Sequence, residues 1–543
     1  MLPSANTYEE LCAKFQWDVP EYYNIGVDVC DKWADRDPDR EALIFAEEGG
    51  DTTSYSFQDL KDLSNKLANL LSSHGVEKGD RVGILLPQAP ETAYSHIAIH
   101  KLGAISIPLF TLFGEEALEY RLENSGAKVL ITNTAGAAKI AQIKPALPEL
   151  ELILNIDGTD HNSIDLHAAM QAHSTSFAPL KTKADDPAII IYTSGTTGQP
   201  KGALHAHRTL LGHLPGVELP HNFFPQEGDR FWTPADWAWI GGLIDVLLPS
   251  LHHGVPVVAC RFKKFTGEAA FQLLQDQQIR NAFIPPTALK MMRQVENPRA
   301  RWNYKLRSLG SGGEALGAEL IQWGRNTFDL TISEFYGQTE CNLVVCTCAE
   351  IMEVRPGVTG KPTPGFDVQI IDDAGIPQKA GVMGNIGIRA PAPVMFLEYW
   401  KNPQATKNKF TGEFLLTGDK GVKDEDGWIQ FVGRDDDVIT SSGYRIGPGE
   451  IEDCLLKHEA VGMAGVVGKP DKLRTEIVKA YVVLRDGAKP SQQLAKELAD
   501  FVKQRLAAHE YPREVEFVEA LPMTTTGKVI RRELRARAVD EEV

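Results

Sequence analysis

Residues 186–208 read DPAIIIYTSGTTGQPKGALHAHR. The β-branched run at 189–191 predicts a buried strand. Between Tyr192 and Gly202 lie two further glycines, four aliphatic hydroxyls and one lysine. Such a loop offers backbone N–H groups, hydroxyl donors and a cation to an anion. It is not a Walker A loop, which reads G-x-x-x-x-G-K-[ST]. Pro200 precedes Lys201 here, and Gly202 follows it. The segment HAHRTLLGHL reads as a helix, completing a strand–loop–helix anion cradle. His205 and His207 stand two residues apart, do not share a helix face, and read as structural or solvent-facing.

Working outward, the N-terminal half alternates helical and strand-like segments. FQDLKDLSNKLANLLSSHG (57–75) repeats Leu at helical spacing and stops at Gly75. DRVGILLPQ, AISIPLF and AKVLITN read as short strands, with ETAYSHIAIHKLG as a helix between the first two. This alternation predicts parallel sheets covered by helices. From about residue 365, FDVQIIDDAGIPQKAGVMGNIGIRA suggests hairpins. After GRDDDVI (433–439) a small α+β unit follows, with an amphipathic helix at SQQLAKELADFVKQRLAAH and a closing basic helix at VIRRELRAR. The expected fold class is α/β, in two parts. Residues 1–434 form a large domain of parallel and mixed sheets with helices, and 435–543 a small α+β domain on a hinge.

Bulk properties narrow the function. A chain of 543 residues exceeds one hydrophobic core. A net charge of −17 argues against a nucleic-acid partner. The seven cysteines are odd in number and contain no C-x-x-C pair, which suits free thiols in a reducing compartment. The polar N-terminus has no apolar signal core. No apolar stretch approaches a membrane span of ~18 residues. A cytoplasmic location is expected.

Five motifs then converge. YTSGTTGQPKG (192–202), FYGQTE (335–340), TGD (417–419), GRDDDVITSSGYRIGPGEIE (433–452) and PMTTTGK (522–528) resemble, in order, the signatures of the acyl-adenylate-forming enzymes. These are the acyl-CoA synthetases, luciferases and peptide-synthetase adenylation domains. The resemblance covers nearly the whole chain. It implies a carboxylic acid attacking the α-phosphate of ATP to give acyl-AMP and pyrophosphate, after which a thiol displaces AMP. Bringing two anions together demands charge neutralisation and in-line positioning. Mg²⁺ and basic side chains supply both.

The resemblance also implies residue roles. Thr193, Ser194, Gly195, Thr196, Thr197 and Lys201 would hold the phosphates. Gly313, Glu314 and Ala315 would line the adenine, with Glu334, Phe335, Gly337 and Gln338 adjoining the nucleotide and Tyr336 stacking on the base. Thr339 would reach the α-phosphate, and Thr196 and Glu340 would hold Mg²⁺. Asp419 would accept the ribose hydroxyls beside Arg434, and Arg445 would bind phosphate. Lys528, Glu340 and Thr196 would be the catalytic groups, with Lys528 bridging carboxylate and α-phosphate. Gly443 and Tyr444 would face CoA, and Asp436 would be the pivot. Lys528 also resembles the lysine at which related synthetases are silenced by acetylation, implying an acetyltransferase and deacetylase as partners.

For the acid, the resemblance places Trp237, Trp239, Ile240, Gly241, Gly312 and Gly337 on the acyl pocket. Acetate-specific relatives carry Trp and Val where this chain has Gly337 and Gly312. Three glycines at 241, 312 and 337 imply an enlarged cavity, and the two tryptophans a limit to its depth. A short-to-medium acid of about C3–C8, straight, branched or aromatic, is expected. Asp236 is the nearest candidate to receive an α-ammonium. About 15 residues follow Lys528, so no fused carrier domain is expected, and GYRIGPGEIE resembles the CoA-ligase version of its motif, which implies CoA as the acceptor. An aryl acid–CoA ligase, an acyl-AMP ligase serving another nucleophile, and a non-catalytic nucleotide-binding relative stay open.

Overall fold

The structure is a computed structural model. It describes residues 2–47, 49–193, 199–262, 264–314, 316–441, 444–471, 474–506, 510–524 and 527–540, without the side chains of Tyr444 and Arg445.

Among these residues the strands form four sheets. The first has eight strands. Arg81–Leu85, Ile105–Pro108, Val129–Thr132, Leu152–Asn155 and Ile164–Asp165 run parallel in it, and Pro187–Thr193 joins parallel to Ile105–Pro108. The second has nine strands, with a parallel centre at Phe231–Trp232, Val257–Arg261, Asn281–Phe283, Ser308–Gly312 and Ser333–Tyr336. Their residues are nearly all buried, as strands covered on both faces must be. A core including Ile189, Ile191, Trp237, Leu243, Val257 and Phe335 spans elements of both sheets.

The helix Phe57–Ser73 shows why sequence pattern becomes structure here. Ser56 and Asp59 form a reciprocal capping box, Phe57, Leu60, Leu67 and Leu71 bury one face, and Gly75 follows at φ 76°.

The reading of a helix from His205 needs correction. Lys201–Ala206 is a strand, antiparallel to Pro187–Thr193 with Thr193 opposite Lys201, and helix begins only at Thr209. Lys201, at the end of the phosphate-loop candidate, therefore opens a strand and not a helix. The strand is held on its far side by Glu398–Tyr399, nearly two hundred residues downstream. His205 and His207 are fully buried, structural rather than solvent-facing.

A third sheet, antiparallel, joins Val368–Ile371, Gly384–Arg389, Phe410–Thr411, Phe414–Lys423 and Ile429–Arg434. The fourth contains Ile439–Ser441, Tyr444–Ile446, Val461–Asp471, Thr475–Leu484 and Glu514–Phe517. Helices Pro448–Leu455 and Gln492–Arg505 pack against its own core, around Val466, Val478, Ala480 and Leu498. Among the described residues no helix is long and apolar enough to cross a membrane.

Candidate active site

The functional residues gather at the carboxyl ends of Ser308–Gly312 and Ser333–Tyr336, where parallel α/β sheets present ligands. The turn bearing Gly527 and Lys528 closes over this edge from the C-terminal part. Thr287 donates to the Gly527 carbonyl at 3.0 Å and to the Glu314 carboxylate at 3.2–3.3 Å. The Lys528 ammonium stands 5.7 Å from the Trp239 ring centre. Gly313 lies beneath this contact at φ +93°, a backbone conformation that favours glycine, with the Trp239 ring and Lys528 Cε at ordinary contact distance from where a Cβ would stand. Burial in this seam holds the Lys528 ammonium below the usual lysine range, with Glu314 and Asp419 pulling it back up.

Two buried carboxylates face the seam. Asp419 lies opposite Arg434 across paired strands. It accepts from the Tyr336 hydroxyl and from Gln338 Nε2 at 3.3 Å. Burial raises its carboxyl above the ordinary range, opposed by the Tyr336 hydrogen bond and by Arg434, Lys409 and Lys528. Glu340 accepts from the Tyr399 hydroxyl and lies 3.9 Å from the Lys409 ammonium. The Lys201 ammonium sits 5.3 Å from the ring centre of the same Tyr399. Among the described residues no group of three or more His, Cys, Asp or Glu could cage a metal. A lone hard carboxylate of this kind fits Mg²⁺, which takes one or two carboxylates and completes its shell with phosphate and water.

Other expected residues fall as follows. Thr193 donates to the Lys201 carbonyl at 3.3 Å. Thr339 is half-buried between Gln338 and Glu340. Glu334 is buried and pushed up to about 8, with one oxygen 3.4 Å from the Leu316 amide. Phe335 points its ring into the core against Phe283, with centroids 4.9 Å apart, not toward a nucleotide. Asp436 is exposed and pairs with Arg434 at 3.2 Å. Its neighbour Asp437 pairs with Arg535 at 3.0 Å and Arg531 at 3.5 Å, so the acidic run is not wholly solvated. Ser194, Gly195, Thr196, Thr197, Ala315 and Gly443 lie outside the described residues, as do the side chains of Tyr444 and Arg445.

The enlarged-cavity argument fails at all three glycines. A Cβ on Gly337 would meet the Leu343 amide nitrogen at 2.1 Å, one on Gly312 the Phe335 ring at 2.5 Å, and one on Gly241 the Trp239 ring at 2.7 Å. These glycines admit close neighbours and do not mark empty space. Trp237 and Ile240 are buried in the core, whereas Trp239 is only partly buried and reaches Lys528. Trp239, Phe283 and Phe335 form a row, the first pair at 5.7 Å. Asp236 accepts the Ala238 amide at 2.8 Å, and burial raises its carboxyl to about 6, so it caps its own turn.

Sequence reasoning missed Thr287, Tyr399 and Lys409. None lies in a motif, and each matters only because the fold brings it to a distant partner.

The AMP-binding enzyme family matches residues 30–400, and the AMP-binding enzyme C-terminal domain matches 450–528. An acyl-coenzyme A synthetase of Pongo abelii (ACSM3, mitochondrial) is 35% identical over 98% of this chain and 92% of its own. The acetyl-coenzyme A synthetase of Bacillus subtilis is 35% identical over 97% and 94%. Among solved structures, the anthranilate CoA ligase AuaEII in complex with anthranoyl-AMP superposes with a TM-score of 0.88 at 29% identity, covering 97% of this chain and 99% of that one. A benzoate CoA ligase from Burkholderia xenovorans gives 0.82 at 26%, covering 94% and 100%. The chain belongs to the AMP-binding enzyme family, as one of its AMP-forming acid–CoA ligases, which use ATP, Mg²⁺ and CoA.

Proposed function

We propose that this enzyme activates a short-to-medium carboxylic acid of about C3–C8 as its acyl-adenylate and transfers the acyl group to CoA. The observation that carries the reading is Lys528, whose ammonium meets Trp239 on one side and the field of Asp419 on the other. A carboxylate lying between Trp239 and Lys528 has its tail on the aromatic row and its head beside the nucleotide. Lys528 neutralises the two approaching anions, Asp419 accepts the ribose hydroxyls, and Tyr336 orients Asp419 beside the base. Lys201 and Thr193 hold phosphate at the end of their paired strands. Glu340 would hold Mg²⁺, which would supply charge neutralisation on the phosphates.

The row of Trp239, Phe283 and Phe335 favours a second reading, an aryl acid, since flat rings stack on such a wall. We assign residues 435–543 as the mobile domain, pivoting at Asp436. Acetylation of Lys528 by a partner enzyme would remove its charge, and in the docked arrangement the turn must first open. Seven free cysteines, six of them buried, suit a reducing compartment such as the cytoplasm.

The test is pyrophosphate release on a C2–C8 series and benzoate, with and without CoA. Turnover peaking at C3–C8 and completed by CoA supports the first reading. A benzoate preference selects the second. Pyrophosphate release with no thioester formed would defeat the CoA assignment.

A further inference from the structure

Lys409 closes the helix Pro403–Asn408, and its carbonyl accepts the Leu416 amide at 2.8 Å, fixing it to the strand that carries Asp419. Its side chain is 15% exposed and turns inward. The ammonium donates to Gln338 Oε1 at 2.6 Å and to the Thr417 carbonyl at 3.3 Å, and it lies 3.9 Å from Glu340 Oε1. Gln338 in turn donates to the Thr417 carbonyl at 2.9 Å and to Asp419 Oδ2 at 3.3 Å. A continuous chain therefore runs Asp419–Gln338–Lys409–Glu340.

Two buried carboxylates in one site repel, and a nearby cation offsets that repulsion. Lys528 is one such cation, but it arrives on the turn of the C-terminal part. Lys409 stands on the same layer as Asp419. Its contact with Gln338 also sets the amide orientation, because Oε1 facing an ammonium leaves Nε2 to face Asp419.

We propose that Lys409 is a positioning residue of the adenylation site, a fixed cation that locks the ribose-binding and metal-binding carboxylates into one network and so sets the affinity for Mg·ATP. The proposal rests on the reading of Asp419 and Glu340 given above. Removing an outer partner of this kind costs about 10–100-fold in metal affinity or activity. The same scale is expected here for Mg·ATP.

The experiment is calorimetric titration of the full chain with Mg·ATP, without acid or CoA, for wild type, Lys409→Met, Lys409→Gln, Lys409→Arg and Asp419→Asn. Lys409→Met should bind about 10–100-fold more weakly. Lys409→Arg, which keeps the charge, should bind more tightly than Lys409→Gln, a comparison that stands even where Met at this place does not fold. In steady state, Lys409→Met should raise the KM for ATP and leave the KM for the acid unchanged. A folded Lys409→Met that binds like wild type, or an equal rise in both KM values, overturns the proposal. If Asp419→Asn also binds Mg·ATP like wild type, the site reading falls too. If Asp419→Asn weakens binding and Lys409→Met does not, the Lys409 inference alone falls.

Discussion

Lys528 and Trp239 meet across the seam between the C-terminal turn and the nine-stranded sheet, the ammonium 5.7 Å from the ring centre. No element joins them locally. The contact exists because Gly527 is held on Thr287.

From this contact follows a split between half-reactions. Lys528→Ala should lower acid-dependent pyrophosphate release by ~10²–10⁴, the scale of a lost electrostatic stabiliser. Conversion of supplied acyl-AMP and CoA should survive. Because burial lowers the Lys528 pKa, its charge is lost as pH rises through that lowered value. The alkaline limb of adenylation should therefore begin below the ordinary lysine value of about 10.4, and Lys528→Arg should move it upward. Equal loss of both half-reactions would sink the assignment.

The pivot makes a second prediction. Pro fixes φ near about −65°, so Asp436→Pro should hold one domain orientation. Adenylation should persist while thioester formation stops, read by separate assays of each step. Normal acyl-CoA output would move the pivot elsewhere.

For the acid pocket, the crowded glycines redirect the experiment. Gly337→Ala already drives a Cβ into the Leu343 backbone. It should damage the 337–343 loop and lower activity on every acid alike. Trp239→Ala should instead widen the wall beneath Lys528 and shift kcat/KM toward longer acids. About 10–200-fold is available per methylene accepted. A C2–C8 profile that keeps its shape in Trp239→Ala would place the acid elsewhere.

Acid stability should follow the buried histidines. Burial lowers His96, His205 and His221 to about 3, and His207 and His213 to about 4. Unfolded, each titrates near about 6.5. Between those values the unfolded chain binds more protons, so the stability these groups contribute is complete above pH ~6.5 and drains as pH falls toward about 4. Each contributes up to ~1.4 kcal/mol per pH unit in that window. Neither ring nitrogen of His205 has a partner among the described residues. His205→Phe should thus flatten the fall of Tm between pH 6.5 and 4, and an unchanged slope would refute the attribution.

Much of this was legible. The alternation from Phe57 to Thr132 became parallel sheet as expected, because period and β-branching act locally. Asp419 lies opposite Arg434 and Lys528 stands by Trp239, and the roles given to them are proposals. His205 and Ala206 were misread as the start of a helix because the segment runs straight on into the true helix at Thr209. Pairing with Ile189–Tyr192 and Glu398–Tyr399 decides for strand, and no local window contains both partners. Gly241, Gly312 and Gly337 were misread for a different reason. An absent side chain looks the same in sequence whether it leaves a void or admits a neighbour's backbone. Lys409 and Tyr399 carry no motif, and their place at the carboxylates arises only from long-range packing.

The placement of Trp239 gives the enzyme an optical reporter of its own working cycle. An indole with an ammonium 5.7 Å from its ring feels that charge, and the proposed rotation would remove it by carrying the Lys528 turn away. Its emission should then differ between the docked and undocked arrangements, and a Trp239→Phe difference spectrum isolates it from the other eight tryptophans of the nine in the chain. Stopped-flow fluorescence on mixing with ATP and acid, and then with CoA, would time the domain's departure without any attached dye.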